Sequence, residues 1–129
     1  MSTIERFEDL DLWKQAREMC KLIYQFTNKD MFSKDFRLKD QIRGASGSVM
    51  DNIAEGFERD GNKEFIQFLS ISKGSSGEVR SQLYRAIDNE YITKEEFEAA
   101  NKMANDISSG LSNFMKYLKR SDFKGSKYK

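Results

Sequence analysis

Residues 41–78, which read QIRGASGSVMDNIAEGFERDGNKEFIQFLSISKGSSGE, decide the fold of this chain. On both sides of the break at Asp60 and Gly61, apolar side chains recur three or four positions apart, which is the spacing of an amphipathic helix. Between these apolar positions, glycine and serine stand where a plain helical bundle would have leucine. The stretch therefore predicts two helices joined by a short turn, with small residues in the middle of their apolar faces.

A first helix is predicted upstream, where a cap at Asp9 or Asp11 precedes a run of apolar residues at helical spacing. Residues 31–37 are expected to form a connection. Within it, Phe32 and Phe36 are expected to plug the end of the bundle.

The second and third helices are expected over residues 38–57 and 62–89, with Asn62 as the N-cap of the third. The fourth helix is predicted to begin after Thr93, because Thr93 and Glu96 have the spacing of a capping box. Its apolar residues alternate three and four apart over three heptads, which predicts a continuous packed seam.

Four helices with short connections predict an all-α fold, an antiparallel up-down-up-down four-helix bundle. We expect the bundle to occupy residues 1–118 and a basic flexible tail to occupy residues 119–129. A chain of 129 residues is expected to form one domain with a sizeable core.

Charge is unevenly distributed, although the formal net charge is only +1. From residue 116 onward there are six basic residues and one acidic residue, Asp122, so this segment carries +5 and residues 1–115 carry −4. A basic tail is an electrostatic contact for phosphates or anionic lipids. The alternative is a helix end that is charged only for solubility.

Composition argues against an enzyme. The chain has no histidine, which removes the usual general base and the usual nitrogen ligand of transition metals. Cys20 is the only cysteine, so no intrachain disulfide forms and a reducing compartment is expected. Neither a signal peptide nor a membrane span is evident. We expect a cytoplasmic protein without a metal, a cofactor, a small-molecule substrate or a membrane partner.

Polar residues lie unusually close to the apolar faces of the second and third helices. Asn52, Glu55 and Glu78 would need partners if buried, and Arg43 is a suitable cation. One hypothesis is a polar layer of Arg43, Asn52, Glu55 and Glu78 that fixes helix register and assembly geometry. The alternative is that these side chains face water. A carboxylate metal site at Glu55 and Glu78 is a third, weaker hypothesis, because bundle sites of that kind use Glu-x-x-His pairs.

The small residues of the same helices predict close approach of another backbone, either within the bundle or between subunits. Glycine inside a helix costs about 1 kcal/mol relative to alanine, so a compensating contact is expected. The run GSSG at residues 74–77 is not a phosphate loop, because it lies mid-helix and no Gly-Lys-Ser/Thr follows. The positions assigned to close packing are Gly44, Gly47, Gly74, Ser75 and Gly77.

Basic and aromatic residues alternate in the first helix and at the end of the fourth. This mixture suits single-stranded nucleic acid, whose bases stack on rings while its phosphates contact cations. Packing of the aromatic residues in the core is the simpler alternative. The candidate nucleic-acid contacts are Arg6, Lys14, Arg17, Lys21, Lys116, Lys119, Arg120, Lys124 and Lys127.

The order of several motifs is similar to that of a known family. FEDL at residues 7–10 and Gln41-x-Arg43-x-Ala45 are followed by NIAEG at residues 52–56 and Gly74-Ser75-x-x-Glu78. In these motifs the chain resembles bacterial four-helix bundle proteins, some of which are encoded within intervening sequences of 23S rRNA genes. The resemblance covers about residues 5–118.

The resemblance implies a ring-shaped homopentamer. It also implies kinship with the accessory proteins of diversity-generating retroelements, which are basic pentameric bundles that bind a reverse transcriptase and nucleic acid. Ser33 and Gly44 depart from residues common in the family, and residues 1–115 are acidic where the retroelement proteins are basic. The leading hypothesis is a non-enzymatic homo-oligomer that binds RNA or a nucleoprotein. The alternative is a protein-protein adaptor scaffold without nucleic-acid binding.

Overall fold

The computed structural model describes residues 4–121, which contain one short 3-10 helix, Phe7–Asp9, and five α-helices. No β-strand occurs in this range, so the predicted all-α class is confirmed. Within the same range, no helix combines the length and apolar character needed to cross a bilayer. The α-helices are α1 (Asp11–Thr27), α2 (Asp30–Lys34), α3 (Phe36–Glu58), α4 (Asn62–Asp88) and α5 (Lys94–Arg120).

The starts of α5 and α4 are fixed in different ways. The Thr93 hydroxyl accepts the Glu96 N–H at 3.0 Å and the Glu96 carboxylate accepts the Thr93 N–H at 2.8 Å, so the predicted capping box is confirmed. At α4, Gly61 is the N-cap with φ 94°, a conformation that favours glycine. Asn62 donates instead to the Leu118 carbonyl at 2.8 Å, so it joins the start of α4 to the end of α5 rather than capping a helix.

The start of α1 and the connection after it differ from the prediction. Leu10 is the N-cap of α1 and makes no side-chain cap bond, so neither Asp9 nor Asp11 caps this helix. Asp11 nevertheless lies in the first turn, where a negative charge is favourable to the helix dipole. Residues 31–37 are largely helical, because they contain most of α2 and the first residues of α3.

Of the two phenylalanines predicted to plug the end of the bundle, only Phe32 is buried. It stacks on Tyr91 with ring centroids 5.1 Å apart. Phe36 is 69% exposed, so the prediction that it plugs the end of the bundle was wrong. The reason is local, since the Asp35 carboxylate caps α3 by accepting the Leu38 N–H at 3.1 Å, and this cap places Phe36 at the first position of the helix.

The core is one cluster of apolar side chains contributed by all four long helices. Buried positions recur three or four apart along α3, and the same spacing holds along α5 when the half-buried Phe114 is included, as the sequence pattern predicts. In α3 and α5 they are Leu38, Ile42, Ala45, Val49, Ile53, Phe57, Ala100, Ala104, Ile107, Leu111 and Leu118.

The small residues in the middle of α4 contact two neighbouring helices through serine hydroxyls. Ser72 is fully buried and donates to the Val49 carbonyl of α3 at 2.7 Å. Ser76 is also fully buried and donates to the Ala104 carbonyl of α5 at 2.9 Å. Both buried hydroxyls are therefore satisfied, as a stable core requires.

Helices α3 and α4 run in opposite directions along their shared contact. Ser48 of α3 meets Ser75 of α4, with the hydroxyl oxygens 2.8 Å apart. Earlier in α3, Gln41 accepts from Arg85 at 3.1 Å, although Arg85 lies later in α4. Because earlier positions of one helix meet later positions of the other, the turn at residues 59–61 reverses the chain.

Close helix approach occurs at glycines other than those predicted. A Cβ on Gly56 would lie 2.7 Å from the Phe68 Cβ and 2.8 Å from the Phe65 Cδ1, and one on Gly110 would lie 2.6 Å from the Leu12 Cδ2. The four predicted glycines are open, because a Cβ there would meet no atom within 4 Å, so residues 4–121 make no close packing at Gly44, Gly47, Gly74 or Gly77. The predicted Ser75 differs from them, because it is buried and hydrogen-bonded to Ser48 of α3.

Alanine at Gly56 is expected to lower the free energy of unfolding by about 1–2 kcal/mol. Overpacking costs about 1–3 kcal/mol, and the better helix propensity of alanine returns up to about 1 kcal/mol. Gly110→Ala is the matched comparison and should cost less, because the Leu12 methyl it meets ends a flexible side chain. Urea unfolding measures both. Equal stability of Gly56→Ala and the parent would contradict the close contact.

Candidate functional site

The outer surface of α1 carries three basic side chains, Lys14, Arg17 and Lys21, which we call the α1 basic row. All three are exposed. The Arg17 guanidinium lies 5.8 Å from the centroid of the Trp13 ring. Lys21 pairs with Glu18 at 3.2 Å, whereas Lys14 forms no ion pair within residues 4–121. The row therefore presents positive charge beside an aromatic ring.

The other predicted basic residues lie near the start of α1 or at the end of α5. Arg6 is exposed and is 3.5 Å from Glu8. The start of α1 meets α5 where Leu12 contacts Gly110, so it lies toward the end of the bundle where α5 finishes. Lys116, Lys119 and Arg120 are exposed in the last turns of α5, whereas Lys124 and Lys127 lie outside the described residues.

The side chains predicted to form a polar layer do not meet in this chain. Glu78 is exposed and forms no ion pair with any described residue, and Glu55 pairs with Arg59 at 2.9 Å on the surface. Asn52 donates to the Ser48 carbonyl at 2.9 Å within its own helix. Both carboxylates thus avoid the cost of leaving water. The single chain contains no layer of Arg43, Asn52, Glu55 and Glu78.

Arg43 instead crosses from α3 to the end of α1. Its Nε donates to the Thr27 hydroxyl at 2.8 Å, and its Nη2 donates to the Asn28 side-chain carbonyl at 3.0 Å. The guanidinium carbon lies 4.2 Å from the centroid of the Tyr24 ring. Sequence reasoning placed Arg43 against α4 and missed Tyr24 as its partner.

The surface shared by α3 and α4 is built from small residues. We call the surface formed by Gly44, Ser48, Ile71, Gly74, Ser75 and Glu78 the α3/α4 outer face. The hydrogen-bonded hydroxyls of Ser48 and Ser75 lie at its base. Gly44 and Gly74 are exposed with open space above them, and Ile71 is 51% exposed. This face combines an exposed apolar side chain with glycines that contact nothing in their own chain.

Groups suited to catalysis are sparse. Residues 4–121 contain no cluster of three or more histidine, cysteine, aspartate or glutamate side chains able to hold a metal ion. The Cys20 thiol donates to the Ser46 carbonyl at 3.1 Å, and burial, together with the charge of Asp51, raises the pKa of this thiol. A raised pKa disfavours the thiolate, which is the reactive form.

A groove of about 500 Å³ lies between α1 and α5. Its walls mix carboxylates with a thioether and an amide and present no paired acid and base. The residues lining it are Gln15, Glu18, Met103, Asp106 and Ile107.

Comparison with known proteins identifies the family. The sequence profile of the 23S rRNA-intervening sequence protein family matches residues 8–113. The chain belongs to this family. The matched range includes the α1 basic row, Arg43 and the whole α3/α4 outer face, so the surfaces described above lie within the family domain.

A solved structure supports the family fold. The chain is similar to a protein of unknown function from the S23 ribosomal protein family of Bacteroides thetaiotaomicron, whose crystal structure is known at 1.70 Å resolution. The two share 28% identity with a TM-score of 0.74, over 81% of this chain and 98% of that chain. No functionally curated protein matches the chain.

Proposed function

We propose that this family member is a non-enzymatic, cytoplasmic homo-oligomer of antiparallel up-down-up-down four-helix bundles that binds RNA or a nucleoprotein. The observation that carries the RNA-binding part is the α1 basic row, in which exposed cations lie beside Trp13. Cations contact phosphates while rings accept stacked bases. The kinship with retroelement accessory proteins that the motifs imply belongs to the same proposal.

The α3/α4 outer face supports self-association. Gly44 and Gly74 each weaken their helix by about 1 kcal/mol, and nothing in their own chain uses the space they leave. A second copy packed against Ile71 and these glycines would use that space and bury apolar area. A ring, which we propose to be a pentamer, requires only that this face meet a different surface of the next subunit.

Oligomerisation would also compensate for the weak RNA binding expected from the acidic character of residues 1–115. Their net charge of −4 opposes phosphate binding, so a single chain is expected to bind RNA weakly. In a closed ring, each copy of the α1 basic row raises the effective concentration of RNA for the next copy. Weak sites would then act together on one strand.

Neutralising the α1 basic row is expected to weaken RNA binding and its salt dependence. Three lost phosphate contacts should lower the slope of log affinity against log salt by about 2. The measurement is anisotropy of fluorescein-labelled oligo(U) titrated with protein at several salt concentrations. The variant combines Lys14→Gln, Arg17→Gln and Lys21→Gln. The matched control changes the same charge at exposed lysines of α4 and α5, with Lys63→Gln, Lys73→Gln and Lys94→Gln.

The control triple should retain most of the parent affinity, because its lysines lie away from the row. Equal losses of oligo(U) affinity in the two triple variants would show that binding depends only on the net charge of the protein. Absence of oligo(U) binding by the parent at low salt would contradict RNA binding. Either result would move the assignment away from the α1 basic row.

The second candidate function is a protein-protein adaptor without nucleic-acid binding. Two observations favour it, the net negative charge of residues 1–115 and the exposed apolar side chains of Met31 in α2 and Phe36 at the start of α3. Met31 is 63% exposed and Phe36 is 69% exposed, and exposed apolar side chains of this size are common in binding surfaces. An oligomer that ignores oligo(U) at every salt concentration would favour the adaptor.

A further inference from the structure

The guanidinium of Arg43 is held rigidly on three sides. Thr27 and Asn28 accept two of its N–H bonds, and Tyr24 covers one face of its plane. The Thr27 hydroxyl is itself buried and donates to the Ile23 carbonyl at 2.8 Å. The group that accepts from Arg43 is therefore held in place as well. An arginine fixed in this way loses little side-chain entropy when it binds a ligand.

Arg43 nevertheless keeps hydrogen-bonding capacity to offer. A guanidinium carries five N–H donors, and the described residues accept only two of them. Arg43 is half-buried rather than enclosed, and its remaining terminal N–H groups reach the surface. A planar fork with free donors matches the oxygens of a phosphate or a carboxylate.

A second arginine–aromatic pair lies on the same side of α1. Arg17 and Tyr24 are seven residues apart, which places them on nearly one face and about 10 Å apart along the helix. The Arg17–Trp13 and Arg43–Tyr24 pairs thus follow one line beside α3. About 10 Å corresponds to about three nucleotides of a stacked strand.

The surface between the two pairs is open. Cys20 contacts the Ser46 carbonyl between them, so the neighbouring Gly47 lies beside this line, one helical turn after Arg43. A side chain at Gly47 would meet no atom within 4 Å. Because Gly47 has no side chain, it leaves a notch in the surface. A single-stranded RNA has room to approach the helices there.

Carboxylates also lie on this side of the molecule. Asp51 is close enough to raise the pKa of the Cys20 thiol, and Glu18 pairs with Lys21. The two arginines have no carboxylate partner among the described residues, so their charges are available to an anion. The negative charge of Asp51 would repel the phosphates of an RNA strand that extended past the notch.

We propose that the Arg43–Tyr24 pair binds a phosphate and its adjoining base in single-stranded RNA, about three nucleotides from the Arg17–Trp13 pair. This inference rests on the proposed RNA-binding function and assigns it a second contact. RNA is favoured over an acidic peptide because each cation is paired with an aromatic ring. Tyr24 is 48% exposed, and a carboxylate ligand would leave its ring unused whereas a base would stack on it.

The test is binding of fluorescein-labelled oligo(U) of ten nucleotides to Arg43→Gln. We expect affinity to fall about tenfold, the effect of losing one charge-assisted contact. Arg43→Lys keeps the charge but loses the planar fork, so its affinity should be intermediate. The matched control is Arg59→Gln, which removes the same charge from an arginine that also lies over a ring, Phe68, but is paired with Glu55. The control should bind like the parent.

Arg43→Gln also removes a tether between α1 and α3, so a second variant separates binding from folding. Gly47→Glu adds a carboxylate to the open notch without a clash, and glutamate is the better helix former. Because a Cβ at Gly47 has open space and glutamate favours the helix, we expect Gly47→Glu to keep the parent's melting temperature, which thermal melting checks, and to bind oligo(U) several-fold more weakly. Trp13 is the only tryptophan, so its fluorescence change on binding reports whether RNA reaches the same surface.

The outcomes distinguish this inference from the proposed function. If the parent binds oligo(U) while the Arg43 and Gly47 variants bind equally well, the inference is wrong and RNA binding stands. If the parent does not bind oligo(U), both are wrong. If a ten-residue polyglutamate binds in an Arg43-dependent way and oligo(U) does not, the position recognises acidic protein and the RNA assignment is overturned.

Discussion

Glutamate at Gly74 is expected to dissociate the protein into monomers without unfolding it. Gly74 is exposed on the α3/α4 outer face, and a side chain there meets no atom of its own chain. In an assembled protein, the same side chain would place a charge in a packed interface, where desolvation costs several kcal/mol. Light scattering should then report a mass near 15.0 kDa instead of a multiple of it.

Thermal melting separates the two possible effects of this substitution. In an isolated chain, replacing a helical glycine by glutamate raises stability by up to about 1 kcal/mol. A variant of unchanged mass and higher melting temperature would therefore show that the face is ordinary solvent-exposed surface. Ser109→Glu is the matched control, because it adds the same charge at an exposed position of α5, outside the α3/α4 outer face. The control should leave the mass unchanged.

Phe65→Ala is expected to lower the free energy of unfolding by about 3–5 kcal/mol, which is a large part of the 5–15 kcal/mol typical of a domain. Phe65 is fully buried where α3, α4 and α5 meet. Its ring centroid lies 6.1 Å from that of Phe57 and 5.3 Å from that of Phe114, both in edge-on geometry. Edge-on aromatic pairs add about 0.5–1.5 kcal/mol beyond area burial.

Urea unfolding followed by circular dichroism measures this loss. Phe36→Ala is the matched control, because Phe36 is 69% exposed and its removal should change stability by less than about 0.5 kcal/mol. Similar effects of the two substitutions would contradict the assignment of Phe65 to the core and of Phe36 to the surface.

Periodicity identified the four long helices and most of the core, because burial of an apolar face requires side chains three or four positions apart. The Thr93 cap could equally be predicted from the sequence, since Thr93 and Glu96 lie within four residues of each other. Phe36 was misassigned because its direction depends on the Asp35 cap. Gly56 was missed as a close-contact residue because its partners, Phe65 and Phe68, lie beyond the turn, and no local pattern records that distance.

The candidate site was predictable only in part. The α1 basic row follows from the sequence, because exposed charges on one helix need no tertiary information. The partners of Arg43 do not, since Thr27 and Asn28 meet it only when the end of α1 folds against α3. The polar layer does not form within the single chain for a related reason. Charged side chains beside an apolar stripe reach water when the helix turns slightly, and Glu55 and Glu78 do so.

Size-exclusion chromatography with light scattering, run with and without RNA, tests the central claim most directly. We expect a mass several times 15.0 kDa that increases with RNA at low salt and returns to its starting value at moderate salt. A species of 15.0 kDa that carries no RNA at either salt concentration would contradict both the self-association and the RNA binding proposed for this protein.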